Sequence, residues 1–373
     1  MNKNLLYCIP AGQYGKEGVL SLLAQHPEIR FVSLVGIDLA GNDTDERIPI
    51  EIFMKDYEDF FAGKAVQTDG SSVVFMNIAT LNDARVDMVA DSTVNWYVDY
   101  NDDNVDEETG LPIGTLRIPS FLIHNGKFID SRSILKQSCE YVADRLRKLL
   151  VGAQVKGMEN FPFSEIQDIV FTTGTELEFW VKTPSEKETV QHLSISQRLQ
   201  EQYWQRMRGN VRTAMEQAIE ELDARGMHVE MGHKEVGGIK PKIDDDGHIF
   251  DVCEQLELDW LFSTNPLQAA DNELEARIVV REVFRRNGLD VSFPTILETV
   301  FLDIPILSPA SDNDMLGLER RMPSKVSSLF VILSFFNVLF NVPFNVPWFF
   351  MTFLLKGMVT WIIPSWISKA SLP

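Results

Sequence analysis

The sequence predicts an α+β fold. Several segments alternate apolar and polar residues, as strands do in antiparallel sheet with one exposed face; others repeat apolar residues at helical spacing; and no internal repeat is visible. These observations place sheet and helix together in one α+β arrangement.

Within residues 1–70, strands alternate with short helices. Ile29–Leu39 is apolar enough for a buried strand and ends at the turn residues Gly41-Asn42-Asp43. Ser71–Ile78 and Thr93–Tyr100 read as strands, and Asn101–Gly110 as a polar, acidic loop. Ile118–Ile123 and Lys127–Ile129 flank His124-Asn125-Gly126, a hairpin signal because Asn-Gly tolerates positive φ. A helix starts near Asp130 or Ser131, either of which can cap it, and carries Ile134, Leu135, Val142, Leu146 and Leu149 at helical spacing. Gly157–Ser164 reads as a connector and Val170–Val181 as a strand. Ser194–Arg225 reads as a long amphipathic helix stopped by Gly226. Strands follow at Met227–Lys234 and Phe250–Phe262, then a helix over about Asn272–Asn287, stopped by Gly288.

The chain's 373 residues suffice for two domains, and 45% hydrophobic with 24% charged residues is a globular composition. A formal net charge of −20 argues against a nucleic-acid surface. Cys8, Cys139 and Cys253 form no CxxC or even-numbered framework, which suggests a reducing compartment without disulfides or a zinc site. Met1–Gln13 makes a poor signal peptide, so a cytoplasmic location is expected.

The segment Thr175–Val181 is the most informative. On a strand, Leu177, Phe179 and Val181 share one face while Glu176 and Glu178 share the other. Carboxylates this close repel unless a cation or water separates them, and hard cations such as Mg²⁺ bind through such oxygens. A solvated strand face is the commoner origin of the pattern. A second alternation, in Val252–Phe262, puts Leu256, Leu258, Trp260 and Phe262 on one face and Gln255, Glu257 and Asp259 on the other. Glu235, after Met227–Lys234, adds a further carboxylate that neighbouring strands could bring to the same cluster.

Other motifs fail. Gly12-Gln13-Tyr14-Gly15-Lys16 lacks P-loop spacing and its following Ser/Thr. Asp244-Asp245-Asp246-Gly247 lacks the remaining ligands of a calcium loop and reads as a hairpin turn. His233-Lys234-Glu235 is not HExxH, and no Gly-x-Ser-x-Gly or Cys/His pairing suggests a nucleophile.

Taken in order, several segments resemble the glutamine synthetase family. Asp69-Gly70-Ser71-Ser72, followed by Leu81-Asn82-Asp83 and Asp91, looks like its N-terminal aspartate loop. Gly126–Arg132 is similar to its interdomain motif, with Ser131 where proline is usual. Gly174-Thr175-Glu176-Leu177-Glu178-Phe179 matches the GxExEF metal strand, His233-Lys234-Glu235-Val236 the next glutamate motif, and Glu254-Gln255-Leu256-Glu257 looks like GQxE, after an insertion relative to the commonest bacterial form. Ala270–Asn272 through Gly288–Phe293 resembles the helix and strand that follow, so the resemblance covers roughly residues 10–293.

The resemblance implies a β-grasp N-terminal domain at 1–129 and a partial catalytic domain at 130–297, built on antiparallel sheet with helices. It implies that Glu178, Glu235 and Glu257 bind a first Mg²⁺ or Mn²⁺ and that Glu176 helps bind a second. Asp69 would reach into an adjacent subunit's site, where it helps bind ammonium and take its proton. The implied reaction activates L-glutamate by phosphoryl transfer from ATP, and ammonia attacks the γ-glutamyl phosphate; a homo-oligomer with intersubunit sites is expected. A γ-glutamyl ligase using another amine, and a non-catalytic oligomer partner, are the alternatives.

After Phe293 the resemblance stops. The family continues with a histidine ligand in a glycine-rich segment, arginines for ATP and glutamate, and another metal-binding glutamate. Here the last histidine is His248, and beyond Arg286 the arginines are Arg320 and Arg321. The implied second metal keeps Glu176 alone, so the chain as written is expected to be inactive. Residues 298–325 read as a linker and 326–373 as an unrelated hydrophobic tail. Val326–Leu355 carries no charge and is long enough to span a bilayer, but Asn337, Asn341, Asn345, Pro343 and Pro347 interrupt it. A shifted reading frame, truncation or unspliced sequence is the favoured origin of this tail, ahead of a membrane anchor or a separate packed element.

Overall fold

The computed structural model describes residues 2, 4–70, 72–73, 85–151, 163, 166, 168–183, 204, 206–235, 240–243, 249–293 and 301–303. The chain divides into two compact units, Met1–Val142 with Phe171–Leu302, and Ala143–Val170 with Asp303–Pro373. Within the second unit, Asp144 pairs with Lys148 and, at 3.3 Å, with Arg147, as helical neighbours do. Both large sheets lie in the first unit.

Its elements run β1 (Cys8–Ile9), α1 (Lys16–Gln25), β2 (Ile29–Val35), β3 (Ile48–Pro49), α2 (Ile50–Lys55), α3 (Tyr57–Phe61), β4 (Gln67–Asp69), β5 (Arg85–Ala90), β6 (Trp96–Val105), β7 (Pro112–His124), β8 (Lys127–Phe128) and α4 (Ser131–Leu150, whose last turns fall in the second unit). They continue through β9 (Thr172–Gly174), β10 (Glu176–Thr183), α5 (Gly209–Ala224), β11 (Val229–Lys234), β12 (Lys240–Ile243), β13 (Ile249–Trp260), α6 (Pro266–Arg286) and β14 (Asp290–Ser292). The α+β class holds.

Among the described residues, eight strands form the N-terminal sheet, with order β1-β6-β7-β2-β3 along its main path. The long strand β7 is its spine. The first half pairs antiparallel with β6 and parallel with β2, and the second half takes β5 and β8. Val32, Leu34, Trp96, Leu116 and Ile118 are buried on it against Val19 and Leu23 of α1 and Phe53 of α2, with Tyr14 stacked on Trp96 at 3.9 Å. The β7–β8 turn has Asn125 and Gly126 at φ 51° and 73°, the two positive values that a two-residue hairpin needs.

Five strands, in the path β11-β13-β10-β14 with β12 beside β13, form a second, antiparallel sheet. Leu177, Phe179, Val181, Leu256 and Leu258 cover one face and pack against Ala214, Met215, Ala218 and Leu222 of α5 and Ala276, Val280, Val283 and Phe284 of α6. Gly232 sits in β11 where α5 crosses: a Cβ there would lie 2.7 Å from Met215 Sδ.

Several expectations need correction. The strand through Tyr100 continues to Val105, because the backbone of the supposed acidic loop still pairs with β7, irregularly, between Asn101 and Val105. The helix expected over Ser194–Arg225 is not continuous: Arg208 is extended, Gly209 lies at φ 54° and 206–208 are not helical, so its described part begins at Gly209, while 194–203 and 205 lie outside the described residues. The helix expected from Asn272 begins at Pro266, six residues earlier. Asn265 caps it, its Oδ1 accepting the Gln268 amide at 3.3 Å, and Pro266 fills the first turn. Strand β13 stops at Trp260, so Phe262 is 67% exposed and does not join the core face. Asp130, one of the two proposed caps, does cap α4, accepting the Ser133 amide at 2.8 Å. The expected strand Ser71–Ile78 (apart from residues 72 and 73), most of the connector Gly157–Ser164, the 244–247 turn, the linker and the hydrophobic tail lie outside the described residues.

The two sheets meet through buried ions. Arg132, at the start of α4, donates to both carboxylate oxygens of Asp271 on α6 at 2.8 Å and to Asp91 at 2.9 Å. Arg117 of β7 reaches Glu275 of α6 at 3.1 Å and Asp43 at 2.9 Å. Tyr97 and Asn95 add bonds to Asn272 and Gln268, so α6 is bolted to the N-terminal sheet along one side.

Candidate metal centre

The register of the second sheet explains why its other face is acidic. Glu176 stands opposite Asp259, and Glu178 opposite Glu257; on the far side of β13, His233 stands opposite Glu257. Paired residues share a face, so Glu176, Glu178, Glu257, Asp259 and His233 all project away from the helices. Glu235 follows β11 directly, held by its amide bond to the Gln255 carbonyl at 3.0 Å. Lys234 projects to the opposite face, where it is buried against Glu254.

Two groups of donor atoms gather on this face, each with its members within 4.8 Å of one another: His233, Glu235 and Glu257, and Glu176, Glu257 and Asp259. Glu257 belongs to both. Of the carboxylates singled out in the sequence, Glu176, Glu235 and Glu257 therefore converge. Glu178 shares their face but belongs to neither group; its Oε2 accepts from Gln255 Nε2 at 2.7 Å. Asp69 lies on the N-terminal sheet, exposed on β4 opposite Arg85.

His233 and Asp259 enter the cluster without having been assigned a role from sequence. His233 Nε2 lies 3.0 Å from Asp259 Oδ2 and 3.5 Å from Glu257 Oε2, while Nδ1 lies 3.1 Å from the Lys234 carbonyl oxygen. The signal was present: His233 precedes Glu235 by two residues on an alternating strand, which places the two side chains on one face. Trp204 is 61% exposed beside them, its ring centroid 5.7 Å from that of His233.

Electrostatically the face is strained. Burial, reinforced by the facing Glu235 carboxyl and by Asp259, pushes Glu257 up to about 9. Asp259 is raised by burial against the opposing pull of His233. Glu176, at the exposed edge, is raised by partial loss of water and then by Asp259 and Glu178. Glu235 Oε2 is buried and accepts no hydrogen bond. Carboxyl oxygens in this state fit a divalent cation, which would neutralise the cluster and fill the unmet acceptor.

Among solved structures, the chain is similar to the cryo-EM structure of Plasmodium falciparum glutamine synthetase, with TM-score 0.53 and 12% identity over 81% of this chain and 56% of that one. Lesser likenesses are to GmaS in complex with ADP (TM-score 0.46, 14% identity, 77% of this chain and 56% of that one) and to a glutamine synthase homolog (TM-score 0.42, 17% identity, 74% and 56%). No protein-family profile and no curated protein matches the sequence. The fold is glutamine synthetase-like, and the chain spans 56% of the length of these solved structures.

Proposed function

We propose that the carboxylate face is the divalent-cation site of an ATP-dependent ligase of glutamine synthetase type, which joins ammonia to the γ-carboxylate of L-glutamate. The observation that carries this reading is the pair Glu235 and buried Glu257: two carboxyl groups face each other, the first with an unmet buried oxygen, on a sheet of glutamine synthetase-like fold.

In this reading Glu178, Glu235 and Glu257 hold a first Mg²⁺ or Mn²⁺, and Glu176 contributes to a second. Bound cations would neutralise the charge that gathers when a phosphoryl group passes from ATP to glutamate. Gln255 orients Glu178 by its hydrogen bond. Helix α6 keeps β10 and β13 in place from behind, through Phe284 against Phe179 at 5.3 Å. Asp69, on the exposed strand β4, would serve the site of a neighbouring copy in a homo-oligomer, accepting a proton from ammonium there. The N-terminal sheet is read as a β-grasp domain over 1–129, followed by a partial catalytic domain over 130–297, a linker and the hydrophobic tail, in a cytoplasmic protein.

Residues beyond Phe293 offer no histidine, which leaves Glu176 alone of the expected ligands for the second cation. We therefore expect the chain to bind a cation but not to turn over by itself. Two measurements test this: thermal shift with Mg²⁺ and Mn²⁺, and coupled ADP release from ATP and L-glutamate, with ammonium or methylamine as nitrogen donor. Cation-dependent stabilisation without ADP release is the expected result. Release with ammonium would overturn the expected inactivity, and release with methylamine alone would reassign the nitrogen donor. Absence of any cation effect would sink the site itself.

A further inference from the structure

The sequence holds two Asn-Gly pairs, Asn125-Gly126 and Asn287-Gly288. In an open chain both are chemically exposed in the same way: a following glycine, lacking a side chain, lets its backbone nitrogen approach the asparagine amide. The fold treats the two pairs differently. Asn287 caps the C-terminal end of α6. Its Nδ2 donates to Gln217 Oε1 and to the Val283 carbonyl, both at 2.8 Å, and the Gly288 amide donates to the Arg285 carbonyl at 2.9 Å. The side-chain amide and the backbone nitrogen that would attack it are therefore both held.

Asn125 and Gly126 form the exposed turn between β7 and β8, and among the described residues no hydrogen bond holds the Gly126 amide. The Asn125 side chain has one polar contact, with Nδ2 2.8 Å from His124 Nε2. The Arg85 carbonyl, 2.9 Å from His124 Nδ1, can only accept, so Nδ1 carries the hydrogen of that bond and Nε2 of the neutral ring accepts from Asn125. A Cβ built on Gly126 would meet nothing within 4 Å, so the turn has room to rotate. Exposed loop tips are also where local opening costs least.

We infer that Asn125 is a site of spontaneous deamidation and that the cap on α6 protects Asn287 from the same reaction. The Gly126 amide, after losing its proton to solvent, attacks Asn125 Cγ. A nitrogen–carbon bond forms, the Cγ–Nδ2 bond breaks, and Nδ2 takes a proton from water and leaves as ammonia. The cyclic imide then adds water at either carbonyl and opens to aspartate or isoaspartate. As aspartate, residue 125 offers only acceptors, so its contact with Nε2 requires a protonated His124. As isoaspartate, it adds a backbone carbon to a two-residue turn and disturbs the pairing of β7 with β8. The inference is independent of the cation site.

The test incubates the full-length chain at mildly alkaline pH, once folded and once in urea, and follows both asparagines by mass spectrometry of peptides prepared in acid. In the folded chain Asn125 should convert at least about tenfold faster than Asn287, whose three hydrogen bonds must open first. In urea the two should convert within a few-fold of each other, because only the fold distinguishes them. Asn125 that stays an amide in the folded chain while both sites convert in urea overturns the inference. So does equal conversion of both sites in the folded chain.

Discussion

Among the described residues, two sets of clustered carboxylates have different electrostatic partners. Asp91, Asp271 and Glu275, where the two sheets meet, have arginines beside them: Arg132 on the first two, Arg117 on the third. Glu235, Glu257 and Asp259, on the open face of the second sheet, have no arginine or lysine beside them among the described residues; His233 lies against them, and they crowd one another. Where charge serves the fold, the chain supplies the counter-charge itself. Where carboxylates crowd one another instead, burial and repulsion hold a proton on Glu257.

The largest effect should come from breaking the self-contained set. Arg132→Ala leaves Asp91 and Asp271 buried without their partner and should destabilise the protein by about 3–5 kcal/mol, read by urea denaturation. Next comes the cation itself. At one hundred times its dissociation constant, a cation bound only by the folded state should add about 2.7 kcal/mol, removable with EDTA.

A smaller change of opposite sign should follow Glu257→Gln. Because the carboxyl of Glu257 is held up to about 9, it favours folding when protonated. Its contribution is complete below the unfolded carboxyl value and is lost as pH rises through about 9. Metal-free protein should therefore lose stability from about pH 4.5 to 9. The Gln variant should flatten that slope and gain roughly 1–2 kcal/mol at pH 8, after allowance for solvent screening. It should also lose most of the stabilisation by added cation. A variant no more stable than the parent without metal would remove the contrast between the two sets. The smallest effect is expected at Arg285, which pairs with Asp103 at 2.8 Å in solvent: Arg285→Ala should leave the melting temperature unchanged within error.

The open face was more legible in the sequence than the ion-paired one. Period-two alternation in Glu176–Val181 and Leu256–Trp260 sorts carboxylates from core residues by sequence alone, because a strand has two sides. Arg117 and Arg132 carry no such signal; their partners Glu275 and Asp271 lie 158 and 139 residues away, and only the docking of α6 brings them together. His233 falls between these cases: it precedes Glu235 by two residues along the strand, which puts the two on one face, but it lacks the HExxH spacing of a helical metal site. Boundaries failed where local chemistry was passed over, as at Asn265-Pro266, a cap followed by a first-turn proline that starts α6 early. Gly209, left-handed after an extended Arg208, likewise ends the expected long helix on its N-terminal side.

The centre of the second sheet is β13, which pairs with β10, β11 and β12 and is synthesised after all of them. The first of these, β10, ends at Thr183, and β13 begins only at Ile249. On a ribosome adding roughly 5–20 residues per second, β10 waits about 3–15 s for its main partner. During that wait Leu177, Phe179 and Val181 form a short apolar strand with two free edges, the kind of segment that pairs with other chains. Helix α5 emerges in the interval and carries Ala214, Met215 and Ala218, the residues that later cover the same face. The order of elements along the chain thus provides a temporary cover for the strand before its sheet exists, and the acidic side, which repels a second copy of itself, guards the other surface meanwhile.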